Sequence, residues 1–177
     1  MQTAVSLRMT VYAALFAALT AVGAYLAIPL GPVPMVLQNF FVYLAGLLLG
    51  RRWATAAIGI YLMAGALGLP VFAGGQGGVA RFIGPTGGYL VGYLPAVYLI
   101  GSISERSDPS ALRDAIGMVC GTAVLYACGV SWLKILTDLS WAKAAAIGVL
   151  PFLPGDAVKI AVAVPMAKSL RRIVKRD

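Results

Sequence analysis

Asp156 and Lys159 are the two side chains of this sequence best placed to do chemistry. They stand in the stretch Pro154-Gly155-Asp156-Ala157-Val158-Lys159, between the apolar runs Ala144–Leu153 and Ile160–Ala167. No other carboxylate lies between Asp138 and the C-terminal Asp177. A charge inside a hydrophobic span costs about 2.5–3.5 kcal/mol on insertion scales, so such residues are kept for a reason. On a helix the two are three positions apart and project about 60° from one another on one face. They can neutralise each other and fix packing, or hold between them a ligand that carries both donors and acceptors. Pro154 and Gly155 suit a helix start, where backbone N–H groups are free and proline costs little.

Much other chemistry is excluded. The chain has no His, which removes Ser-His-Asp triads, Cys-His pairs and the histidine zinc motifs. It has no G-x-x-x-x-G-K-[ST] stretch, so use of ATP is expected to fall to a partner. Cys120 and Cys128 lie in one apolar run, about 12 Å apart along a helix, too far for a mutual disulfide.

The elements that position the pair are set by composition. Of 177 residues, 60% are hydrophobic and only 11% charged, where a soluble domain carries about 25% charged. Mean hydropathy is +0.89. The chain reads as an all-α integral membrane protein, a single domain over residues 1–177. At about 20 residues per span the length allows roughly six transmembrane helices. The net charge of +8 suits basic flanks facing the cytoplasm and an anionic lipid surface, with no nucleic acid partner.

Six apolar runs are expected: Met9–Pro29, Val36–Leu49, Trp53–Gly68, Tyr89–Ser102, Ala115–Leu133 and a last span holding the Asp156 motif. The first carries Ala13, Ala17 and Ala21 at every fourth position, with Ala14 and Ala18 beside them. Such a stripe lets another helix approach closely, within this chain or from a separate subunit. Leu30–Pro34 is a short uncharged turn, and Gly50-Arg51-Arg52 a basic one. Gln38 and Asn39 stand at the outer end of the second span, as ligand contacts or as caps. Ser110 is an expected N-cap, Lys134–Lys143 an amphipathic link, and Trp132 and Trp141 its interfacial edges. The basic tail from Lys168 to Arg176 reads as an anchor to anionic lipid.

Between the third and fourth runs lies Leu69–Gly88, with seven glycines and two prolines. It suits neither a continuous helix nor a strand. Phe72, Val79, Phe82 and Ile83 argue against a solvated loop, so the segment reads as a folded cap whose one charge is Arg81. Tyr89, Tyr93 and Tyr98 follow, as cavity walls or as an interfacial belt.

Six spans sort the basic residues into ten on one side and three on the other, with Lys159 inside a span. The larger group marks the cytoplasm and places both termini there. The cap and the Asp156 end of the last helix then share the outer face. They enclose a pocket suited to a small solute with an amide-like polar head and its own carboxylate.

Gly31-Pro32-Val33-Pro34 with Leu37-Gln38, Gly68 to Gly75, Gly84-Pro85-Thr86-Gly87-Gly88-Tyr89 and Pro154 to Lys159 together resemble the BioY family, in the same order and over most of the chain. Members of that family are biotin-binding S components of energy-coupling factor (ECF) transporters. The resemblance implies six transmembrane helices, an outward-facing pocket closed by the loop between helices 3 and 4, and no enzymatic activity. It implies no cofactor in this subunit, with ATP hydrolysed by partner ATPases acting through a transmembrane coupling protein. Asp156 and Lys159 would meet the ureido head of biotin, whose two N–H donors suit a carboxylate and whose carbonyl suits an ammonium. Arg81 is the candidate for the valerate carboxylate, and Gln38, Gln76 and Tyr89 are further candidates. Ala13, Ala17 and Ala21 would dock on the coupling protein. The competing readings are an S component for another vitamin, a membrane enzyme with Asp156 as general base, and an assembly subunit in which the ion pair only packs.

Overall fold

In the computed structural model, which describes residues 2–29, 32–105 and 110–174, the chain is a bundle of helices with one small ribbon. The order is α1 (Gln2–Tyr25), β1 (Ala27–Ile28), β2 (Met35–Val36), α2 (Gln38–Ala66), α3 (Ala80–Ile83), α4 (Gly87–Ser104), α5 (Ala111–Thr137), α6 (Trp141–Gly148) and α7 (Leu153–Val174). Leu30, Gly31, Arg106, Lys175 and Arg176, which entered the sequence reading, lie outside the described residues.

The helices follow the apolar runs. α1, α4 and α5 are long and apolar enough to cross a membrane, and α6 with α7 adds a fourth crossing if that pair, bent by 48°, is one span. The second and third runs are continuous in α2, broken only at Gly50, where φ is 75° and ψ 173°. That left-handed backbone is open to glycine and strained for other residues. A Cβ there would also meet the Glu105 carboxylate. The expected basic turn is therefore a single-residue break between two helical limbs.

α2 packs against α1, α4 and α7, and α4 against α5, which also meets α6 and α7. Tyr43, Leu44, Ile58, Ile100, Met118 and Leu133 are fully buried at these seams. Glycines allow the close approach: Gly46 and Gly121 both face Ile100, and Gly92 faces Cys128.

Several expectations are corrected. Ala13 and Ala17 are buried in this chain's own core and Ala21 is half-buried against it, so the three pack internally; among the alanines of α1 whose side chains are described, Ala14 and Ala18 are exposed. α5 runs on through Lys134, into the segment expected as an amphipathic link, and the chain breaks at Val149–Phe152 before α7; Pro154 falls in the first turn of α7, as expected of a proline at a helix start. Ser110 occupies the N-cap position of α5 without a side-chain hydrogen bond. Trp132 is half-buried, and its indole N–H donates to the Gly84 carbonyl at 2.9 Å, which pins the cap to α5. Arg171, assigned by sequence to a lipid-facing tail, is 7% exposed and paired with Asp114.

The cap is folded as the sequence suggests. Phe72 and Gln76 form a bridge across Gly74 and Gly75, whose φ values of 71° and 70° make a tight left-handed turn. Phe72 is buried, edge-on to Tyr61 of α2 at 5.5 Å and to Phe82 of α3 at 5.6 Å. The Tyr25 hydroxyl donates to the Pro70 carbonyl and ties the cap to α1.

Candidate functional site

A cavity of about 440 Å³ lies between the β1–β2 ribbon, the cap and the facing ends of α2, α4, α5 and α7. Gln38, Gln76, Arg81, Tyr89, Asp156 and Lys159 all line it. The six candidates from sequence are thus brought to one place.

Asp156 sits in the first turn of α7, where the helix dipole favours a negative charge. Its carboxylate is 3% exposed and is held from three elements. Lys159 Nζ donates to Oδ1 at 2.9 Å, and the Tyr126 hydroxyl to Oδ2 at 2.6 Å. The Asn39 amide reaches both oxygens, at 3.3 and 3.4 Å. Those two contacts are longer than a well-formed N–H···O bond, so they are the ones a bound donor displaces at least cost. Lys159 Nζ also donates to the Val36 carbonyl at 2.7 Å. An ammonium has three donors. One is left for a solute.

Asn39 is held in turn by Tyr93, whose hydroxyl donates to its Oδ1 at 2.5 Å. The Tyr89 hydroxyl is spent on the Gly148 carbonyl, the last of α6, at 2.7 Å. Tyr89 therefore offers its ring to the cavity and its hydroxyl to the scaffold. Tyr98, read alongside it, is half exposed and lies outside the cavity lining. Gln76 is exposed at the cap. Arg81 is half-buried on α3, and no carboxylate among the described residues pairs with it.

Sequence reasoning missed Tyr126 and carried Gln38 forward without its neighbour Asn39. A signal for Tyr126 was present, though a weak one: it is the one tyrosine inside the fifth apolar run, and a buried phenol needs a partner. The walls are apolar, with Phe72, Leu90, Leu125, Phe152 and Met35 among them. Apolar walls, a few convergent polar groups and this volume are the anatomy of a small-molecule site. The arrangement can take a solute with donors for Asp156, an acceptor for Lys159 and an anionic end for Arg81.

A family model described as the BioY family matches residues 1–176. The chain belongs to the BioY family. Among curated relatives, the biotin transporter BioY of Thermotoga maritima is 41% identical over 168 residues, covering 94% of this chain and 98% of that protein. The probable biotin transporter BioY of Pyrococcus horikoshii is 44% identical over 158 residues, covering 89% and 93%. Among solved structures, the S-component for biotin from an ECF-type ABC transporter superposes with a TM-score of 0.87 at 31% identity, over 97% of this chain and 93% of that one. The likeness to these transport proteins thus runs over nearly the full length of the chain, and none of the relatives named here is an enzyme.

Proposed function

We propose that this chain binds biotin in the cavity and serves its uptake across the cytoplasmic membrane, as the substrate-specific subunit of an ECF-type ABC transporter. The observation that carries the reading is the buried Asp156–Lys159 pair, which opens on the cavity with a donor of Lys159 uncommitted. The ureido N–H groups replace the long Asn39 contacts on Asp156, and the ureido carbonyl takes the spare Lys159 donor. The valerate carboxylate runs to Arg81 on the cap, and the apolar walls cover the ring and chain between.

The two limbs of α2 count as separate spans in this reading, which brings the total to six. The end opposite the cavity, where Arg8, Gly50, Glu105 and Val174 surround a second hollow, faces the cytoplasm with both termini. ATP is hydrolysed by partner ATPases, reached through a coupling protein. Docking is assigned to the outward stripe of α1, Leu7, Val11, Ala14, Ala18 and Val22, all exposed. Ala13 and Ala17 face the core and are not part of it.

Uptake of labelled biotin by cells that express this chain together with a coupling module tests the function. Competition by unlabelled biotin alone, among a panel of vitamins, is expected. Competition by a different vitamin, with biotin without effect, would reassign the substrate.

A further inference from the structure

We propose that Gln38 and Tyr61 act as a pair in the ligand site. Tyr61 donates its hydroxyl hydrogen to Gln38 Oε1 and so turns the amide nitrogen toward an oxygen acceptor on the bound solute. Gln38 is 2% exposed and lines the cavity, yet its Nε2 has no hydrogen-bond partner. Tyr61, on the second limb of α2, is 1% exposed, and its hydroxyl also lacks a partner. The Gln38 amide is near enough to act on that hydroxyl, though not in hydrogen-bonding geometry with it.

Buried polar atoms without partners are rare in folded proteins, and each one has a cause. The other buried polar groups of the cavity are served within the protein. Asn39 has Tyr93 and Asp156, Asp156 has Tyr126 and Lys159, and Lys159 has Val36. Lys159 keeps one spare donor beside two that are met, whereas the Gln38 Nε2 is, among these described groups, the nitrogen with no partner at all. An amide carries an acceptor on one side and two donors on the other, whereas a phenol donates once and accepts. A half-turn of the amide places Oε1 on the Tyr61 hydroxyl and the NH₂ group on the cavity side. The orphan hydroxyl is then satisfied, and a donor is left that only a solute can meet.

Tyr61 is therefore a positioning residue and Gln38 the contact. Its ring is fixed edge-on against Phe72 of the cap, and Phe72 against Phe82 beside Arg81. The seating of the cap and the aim of the Gln38 amide thus depend on one ring. If the hydroxyl has no part in binding, Tyr61→Phe leaves the affinity unchanged, because Phe fills the space of the ring.

This inference rests on the biotin reading, and one experiment separates the two. Biotin binding is measured by calorimetry on purified full-length protein in detergent, for wild type, Tyr61→Phe, Gln38→Leu and the double variant, with a melting curve for each. Tyr61→Phe is expected to weaken binding about five- to tenfold, the worth of a neutral hydrogen bond. Its melting temperature should fall only by what the loss of that one bond accounts for, with the fold intact. Gln38→Leu should weaken binding at least as much, and the double variant no further than Gln38→Leu alone. If Gln38→Leu does not fold, Gln38→Met, a linear side chain of similar length, serves the same comparison. Wild-type affinity in Tyr61→Phe, or losses that simply add, would overturn the pairing while leaving biotin as the ligand. A folded wild type that binds no biotin would instead overturn the ligand assignment beneath it.

Discussion

Arg81 carries a guanidinium to the cavity wall without a carboxylate to meet it among the described residues. A charge-assisted hydrogen bond from it to the valerate carboxylate is worth about 1.5–3 kcal/mol, or roughly 10–100-fold in affinity. Arg81→Gln should lose that much for biotin and almost nothing for biotin methyl ester, as read by displacement of a labelled ligand. Equal losses for both would place the carboxylate elsewhere. Arg81 was legible in the sequence as the one charge of a glycine-rich cap, and its role came from the family resemblance; elsewhere a charge or amide inside an apolar run has to find a polar enclosure. The same logic brought Asp156, Lys159 and Gln38 into view. It was blind to Tyr126, since tyrosine serves interface and interior alike, and only the fold places its hydroxyl on Asp156.

At the scale of elements, one clamp holds the end of the bundle opposite the cavity. The break at Gly50 ends the helical ladder, so the Arg51 N–H donates to Glu105 at 2.9 Å and the Leu47 carbonyl is left without its usual helical donor. Arg171 of α7 reaches that carbonyl with two nitrogens, at 3.3 and 3.4 Å, while bonding both oxygens of Asp114 at 2.7 and 2.8 Å and Ser104 at 2.6 Å. Four elements, α2, α4, α5 and α7, thus meet at one guanidinium. Removing a single partner leaves an uncompensated buried charge, at a cost of about 3–5 kcal/mol. Asp114→Leu should therefore lower the melting temperature sharply, and Asp114→Leu with Arg171→Met should recover part of the loss. Affinity for biotin in the folded fraction should not change. A melting temperature unaffected by Asp114→Leu would show that the pair contributes nothing. The extents of α1, α4 and α5 were largely legible, because apolar length dictates them. This clamp was not: its two charges sit near the ends of apolar runs, where charges are ordinary, and their pairing spans 57 residues of sequence.

On the scale of the whole molecule, the chain is a membrane bundle with a closed polar site at one end and a basic, ion-paired end at the other. The alanine repeat of α1 showed from sequence that something packs closely there, but a small-residue stripe does not say from which side. Burial settles it for Ala13 and Ala17, which face the core, and leaves Ala14 and Ala18 on the outer surface. Ala18→Trp should abolish co-purification of a coupling protein and leave biotin affinity intact; an unchanged yield of the complex would remove α1 from the docking surface.

The central claim is that the buried carboxylate on α7 recognises biotin. Calorimetric titration of biotin into the purified protein, beside Asp156→Asn checked for helical content and melting, tests it most directly. The account predicts tight binding to wild type and a loss of roughly 10–100-fold or more in a variant that remains folded. Undiminished affinity in folded Asp156→Asn would contradict it and return the Asp156–Lys159 pair to a role in packing alone.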